Sequence, residues 1–296
     1  MNKIMKIMIL TIVTVLSVCA AATIVSEGGL SAEDTPVTTV GTYLDETSGV
    51  TFTLYSDQTA EATKLTAASK DVRIPSVVTS EGKDYNVISI NAGFVRMNKV
   101  IETLTIGASI ERIGDGDSYS GLCYGCEKLE KVVFEEGSKL TYLGKGAFRG
   151  CMSLSSINLP EGLKEIGPQA FSYCTSNGYL PGGSAVLYYN MYSLSEITLP
   201  ASLEKIGDGA LPNLVCNIKL AEGSKNFVIE NGILYDAGKT TVIRAFNPAG
   251  DIVIPDTVTK INAYAFNFQT SDVMEERVYT SKFFNPTSKI ESALHR

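Results

Sequence analysis

The chain has 296 residues, 44% hydrophobic and 19% charged, a balance that suits a folded protein and carries too little charge for a disordered polyelectrolyte. Its formal net charge is −7, and a surface of that sign repels phosphate backbones and anionic head groups, which argues against nucleic acid as a partner. Tryptophan is absent and the one histidine, His295, is next to last. The body of the protein therefore lacks the commonest general base and metal ligand, and no cofactor or metal is expected.

Residues 1–22 have the three-part form of an export signal: basic Lys3 and Lys6, an apolar run over 7–18, then small residues Cys19, Ala20, Ala21 and Ala22. The run is shorter than the roughly 20 residues a spanning helix needs. Two processing routes compete. Ala20-x-Ala22 fits ordinary signal-peptidase cleavage, whereas Leu16-Ser17-Val18-Cys19 resembles a lipoprotein signal that would make Cys19 the acylated first residue. Either route takes the mature protein out of the cytoplasm, to the cell surface, the outer membrane or the medium. Contact with a membrane is expected only through a lipid on Cys19.

Residues 23–40 are rich in Ser, Thr, Glu and Asp without sustained period and read as a flexible spacer. Alternation then begins. Val50, Phe52 and Leu54 share one side and Thr51, Thr53 and Tyr55 the other, which predicts a half-buried strand. Strands at 72–74 and 85–90 follow, and 41–89 is read as an N-terminal β cap covering the open end of what comes next.

From 147 to 167 the chain spells A-F-x-x-C-x-x-L-x-x-I-x-L-P-x-x-L-x-x-I-G, and the motif restarts at Ala170-Phe171, 23 residues after Phe148. A unit that restarts at such a spacing predicts a solenoid, here over 90–266. Strand segments recur at 104–106, 132–134, 157–159, 197–199, 218–220 and 252–254. In each, the outer two residues face the core and the middle one faces away. Pro160, Pro200 and Pro255 close strands. Gly144, Gly167 and Gly207 read as turn residues with positive φ, and Phe148, Phe171 and Phe266 as an aromatic spine beside the small Ala147, Ala170 and Ala265. The spacing from Ile166 to Ile206 stretches to 40, which exposes an insertion over 175–191 containing Tyr188 and Tyr189, with Tyr192 just beyond. A second interruption, 227–248, reads as a hairpin turned by Asn231-Gly232. The pattern stops after Phe266, leaving 267–296 as an atypical cap or loosely ordered tail.

On these residues the chain resembles the BspA-like leucine-rich repeat proteins of bacterial cell surfaces. The resemblance rests on 147–167 with Ala170-Phe171-x-x-Cys174, on Ile197-x-Leu199-Pro200-x-x-Leu203-x-x-Ile206-Gly207, on Val72-x-Ile74-Pro75, and on Asn231-Gly232-Ile233-Leu234-Tyr235. It implies a fold with a strand plus a short helix or irregular turn in each repeat. It also implies an exported protein that binds a host or extracellular-matrix protein, or another surface protein, by way of adhesion. Cys123 departs from the pattern by standing where Phe is usual, as does Leu211.

Cys123-Tyr124-Gly125-Cys126 has the spacing of a zinc or redox pair, but a second pair of ligands at suitable spacing is missing. Placed on the repeat, Cys126 takes the Cys position and Cys123 the Phe position, so burial is the main reading and a disulfide the alternative. The run from Asp115 to Ser120 lacks the glycine and glutamate of a calcium loop. No serine, cysteine or carboxylate has the partner that catalysis needs, so the protein is read as no enzyme. Candidate binding residues are the strand centres Thr105, Val133, Asn158, Thr198 and Lys219, with Tyr188, Tyr189 and Tyr192, because outward positions on a stacked sheet form a continuous strip and tyrosines anchor interfaces. Two alternatives remain, a structural envelope protein without a specific ligand and a carbohydrate-active surface enzyme.

Overall fold

The computed structural model describes residues 36–116, 120–172, 194–212, 216–246 and 252–266. All of its strands lie in the compact unit Val37–Arg296. The alternation at 50–55 becomes β2 as expected, but β1 (Thr39–Asp45) begins inside the stretch read as spacer. β2 (Val50–Tyr55) buries Val50, Phe52 and Leu54, and β3 (Thr59–Leu65) completes an antiparallel meander. The β1–β2 turn is held by Asp45, whose carboxylate accepts the Ser48 hydroxyl at 2.5 Å and the Thr47 N–H at 3.1 Å. β4 (Asp71–Ile74), β5 (Val77–Ser80) and β6 (Lys83–Ile90) follow.

The repeats then build two stacks of parallel strands. The strand-centre segments are β7 (Thr103–Ile106), β9 (Lys131–Phe134), β11 (Ser156–Ile157), β13 (Glu196–Leu199) and β15 (Asn217–Leu220). The residues that end at the Ile/Leu before each motif glycine are β8 (Arg112–Ile113), β10 (Tyr142–Leu143), β12 (Glu165–Ile166) and β14 (Lys205–Ile206). The second group extends one sheet in the order β1-β2-β3-β6-β8-β10-β12-β14, with β5 antiparallel to β6. The first group forms β4-β7-β9-β11 and the pair β13-β15, joined by an isolated parallel bridge between Asn158 and Thr198.

A third side is made of turns. The N–H groups of Cys123, Phe148 and Phe171 donate to the carbonyls of Ala147, Ala170 and Ala210 at 2.7, 2.8 and 2.8 Å, so these rungs are hydrogen-bonded although no helix or strand forms there. The protein is a repeat solenoid whose rung is strand, two-residue strand and irregular turn, with no helix among the described residues.

The motif's apolar positions fill the interior. Ala147, Phe148, Cys151, Leu154, Leu163 and Ile166 are wholly buried, and Phe148 stacks on Phe171 with ring centroids 5.7 Å apart. The next rung carries Leu211, and Phe266 lies in a second cluster with Ile233, Tyr235 and Val242 instead of in the Phe148–Phe171 cluster where it was expected. That second cluster belongs to β16 (Phe227–Glu230), β17 (Ile233–Asp236), β18 (Thr241–Ala245) and β19 (Lys260–Ile261). Asn231 and Gly232, at φ 50° and 71°, turn the expected hairpin between β16 and β17. Residues 252–254, read as a repeat strand, form no strand, and Val253 is 76% exposed.

The glycine reading also needs correction. Gly144, Gly167 and Gly207 do not have positive φ. They are glycines because adjacent rungs touch: a Cβ on Gly144 would lie 2.1 Å from the Gly114 carbonyl oxygen, one on Gly167 2.6 Å from the Lys145 nitrogen, and one on Gly207 2.5 Å from the Pro168 nitrogen. The left-handed positions fall two residues later, at Gly146, Gln169 and Gly209.

Candidate interaction surface

A parallel register with side-chain period two places equivalent residues of successive rungs in one row. Thr105 pairs with Val133, Ile157 with Val132, Asn158 with Thr198, and Thr198 with Lys219. The five strand-centre candidates therefore form one line on the outward face, with Asn158, Thr198 and Lys219 exposed and Thr105 and Val133 half-buried. Arg73 belongs to the same line, since it pairs with Thr105 across β4 and β7. Sequence reading missed it, although Val72-Arg73-Ile74-Pro75 has the same apolar-x-apolar-Pro pattern that marked the others. A parallel row of Asp71, Thr103, Lys131, Ser156, Glu196 and Asn217 runs beside it. Tyr188, Tyr189, Tyr192, Cys174 and the lipidation candidate Cys19 lie outside the described residues.

In the strand-centre row the charged residues are the two at its ends, Arg73 and Lys219, and each is paired with a carboxylate. Arg73 reaches past β7 to Glu135, the residue that follows β9, with Nη2 and Nε 2.6 and 2.8 Å from Oε1. At the other end Lys219 lies 2.7 Å from Glu196 and its hydrogen bond holds that carboxyl below the usual carboxylate range. Between them Thr105, Val133, Asn158 and Thr198 make an uncharged centre. Six strands at about 4.8 Å give a row roughly 24 Å long.

The second sheet has its own outward row, Ser89, Arg112, Tyr142, Glu165 and Lys205. The Arg112 guanidinium sits 3.9 Å over the Tyr142 ring, and the Tyr142 hydroxyl donates to Asp115, which also accepts the Lys145 N–H at 2.8 Å. Burial and the Asp115 carboxylate push Tyr142 up to about 12. Burial alone would raise Asp115, but the hydrogen bonds from Tyr142 and Lys145 outweigh it and hold the carboxyl low. Lys205 pairs with Glu165 at 2.6 Å. Each group here is held by a neighbour, a structural use of charge, and among the described residues no cluster of three or more His, Cys, Asp or Glu is placed to hold a metal.

Cys123 and Cys126 are buried on one rung and Cys151 on the next, with the Cys151 thiol donating to the Cys123 carbonyl at 3.1 Å and the Cys126 thiol to the Val95 carbonyl at 3.4 Å. Cys123 and Cys126 are not disulfide-bonded in the structure, and burial pushes the Cys123 thiol up.

Inward leucine and isoleucine on in-register rungs of strand, short strand and turn define a leucine-rich repeat solenoid. The chain belongs to the BspA-type leucine-rich repeat family, whose sequence model matches residues 89–180 and 118–237 in six copies. Among solved structures it is similar to the pneumococcal vaccine antigen PcpA, at 19% identity over 76% of this chain and 62% of that one, with a TM-score of 0.49. A leucine-rich cell surface protein from Faecalibacterium prausnitzii matches at 24% identity over 79% and 69% of the two chains, TM-score 0.44. The leucine-rich repeat protein of T. pallidum matches at 23% over 57% and 66%, TM-score 0.44. The chain thus spans less than two thirds of the pneumococcal protein's length. No curated protein matches it.

Proposed function

We propose that this is an exported, surface-associated, non-enzymatic protein that binds another protein, a host or extracellular-matrix component, through the outward face of β4-β7-β9-β11 and β13-β15. The observation that carries this reading is the in-register row Arg73, Thr105, Val133, Asn158, Thr198, Lys219, exposed along much of its length and uncharged at its centre. Because Arg73 and Lys219 are already neutralised by Glu135 and Glu196, the face offers short-range packing and hydrogen bonding more than long-range attraction. Family membership supports the reading.

The test is binding of the mature protein to a panel of immobilised extracellular-matrix proteins, with Asn158→Arg and Thr198→Arg introduced together. Bulky charge at two adjacent exposed positions should lower affinity at least tenfold while leaving the unfolding midpoint unchanged. Binding that survives the double change puts the site elsewhere, and binding to no member of the panel removes the adhesion reading. Fatty-acid labelling of cells expressing the full chain, against Cys19→Ala, separates a lipid anchor from a cleaved secreted form.

A further inference from the structure

Cys123 and Cys126 sit at the two ends of one tight turn. The Cys126 N–H donates to the Cys123 carbonyl at 3.2 Å, and Gly125 has φ 67°. A β-turn keeps its end Cα atoms within about 7 Å, while a disulfide needs about 4.4–6.8 Å. Both sulfurs are buried: the Cys126 thiol donates to the Val95 carbonyl at 3.4 Å, and Cys123 is enclosed in the core at the position where the next rungs carry Phe148 and Phe171.

We propose that Cys123 and Cys126 are a dithiol that a disulfide-class oxidant closes to an intrachain disulfide within the folded repeat stack. The thiolate of one cysteine attacks one sulfur of the oxidant disulfide, forming a mixed disulfide and releasing one thiolate. The other cysteine then loses its proton and attacks the sulfur of the first, forming the Cys123–Cys126 bond and releasing the second thiolate. The protein gives up two electrons and two protons, and the oxidant leaves as two thiols. Both sulfurs are buried, so the first attack waits on local opening of the turn, not on unfolding of the stack.

The experiment uses the full chain in glutathione redox buffers, quenched with acid and an alkylating agent, digested with trypsin and weighed. The peptide over 113–128 contains these two cysteines and no other. Under oxidising buffer that leaves circular dichroism unchanged, this peptide should lose about 2 Da and resist alkylation, in the Cys151→Ala variant as well as in the unchanged chain. Cys126→Ser and Cys123→Ser should each abolish the change. A peptide that keeps two alkylatable thiols while the urea-unfolded chain oxidises fully overturns the proposal, as does a cross-link from either cysteine to Cys151.

Discussion

Replacing Gly144 by alanine separates two accounts of why this repeat carries a glycine there. If the position needed positive φ, the cost would be about 1 kcal/mol, the ordinary penalty of left-handed backbone for a residue with a Cβ. The structure puts no such strain at Gly144 and places the new Cβ 2.1 Å from the Gly114 carbonyl oxygen and 2.6 Å from that of Ile113. Both are backbone atoms of the neighbouring rung, so relief requires moving the rungs apart by about 1 Å against a strand spacing of about 4.8 Å. The flanking bonds Thr141 N–H to Glu111 at 2.9 Å and Gly116 N–H to Lys145 at 3.0 Å would then be stretched or lost. Two hydrogen bonds at about 1 kcal/mol each, about 1–3 kcal/mol of overpacking and a gain of about 0.4–1 kcal/mol from a stiffer unfolded chain leave a net loss of about 3 kcal/mol. Gly137 is the control. It has φ 74° and nothing within 4 Å of a built Cβ, so Gly137→Ala should lose only about 1 kcal/mol. Urea unfolding followed by circular dichroism reads both, with midpoints compared at equal slope; in heat the same losses are roughly 6–12 °C against 2–4 °C. A smaller loss at Gly144 than at Gly137 would refute the close-contact account.

Other consequences follow from the same packing. Phe148→Ala opens a cavity in a wholly buried stack and should cost about 3–5 kcal/mol in urea, with Phe171→Ala in the same range and the pair less than additive because one ring faces the other. Gly232→Val forces a β-branched residue into a positive-φ turn and should cost about 1–2 kcal/mol, whereas Asn231→Gly should be nearly neutral. Glu196, Asp115 and Asp236 have folded-state pKa values held low, Glu196 by Lys219 and the two aspartates by hydrogen bonds that outweigh burial. A depressed carboxyl contributes stability that is present above its unfolded value and lost as pH falls through the folded one, so the urea midpoint should hold from pH 7 to about pH 5 and drop below about pH 4. Asp115→Asn should shallow that drop; an unchanged acid profile would show that the Tyr142 and Lys145 bonds do not favour the charged form.

The repeat was legible because its period repeats. Apolar residues at fixed offsets must all face the core if any of them does, so one good copy at 147–167 predicted the burial of Leu104, Leu163 and Ile197 and the single line of outward residues from Thr105 to Lys219. The Asn231-Gly232 turn was equally local, since two successive positive φ values suit few other residue pairs. β1 was not legible: Val40 and Leu44 are exposed at a sheet edge, so its alternation lacks the apolar signal that burial imposes. Residues 252–254 failed in the opposite way, carrying the pattern of a repeat strand without pairing as one.

What the sequence by itself determined was the period and which side of each strand faces in, because alternation and a 23-residue restart are properties of the chain. The tertiary structure alone decided what happens between rungs. Gly144 is needed for the carbonyl of a residue 30 positions earlier, Arg73 pairs with Glu135 across an intervening strand, and Tyr142 is stacked and hydrogen-bonded by Arg112 and Asp115 of the rung before it. These contacts depend on the lateral register and spacing of strands distant in sequence, and no local pattern encodes a distance that only stacking creates.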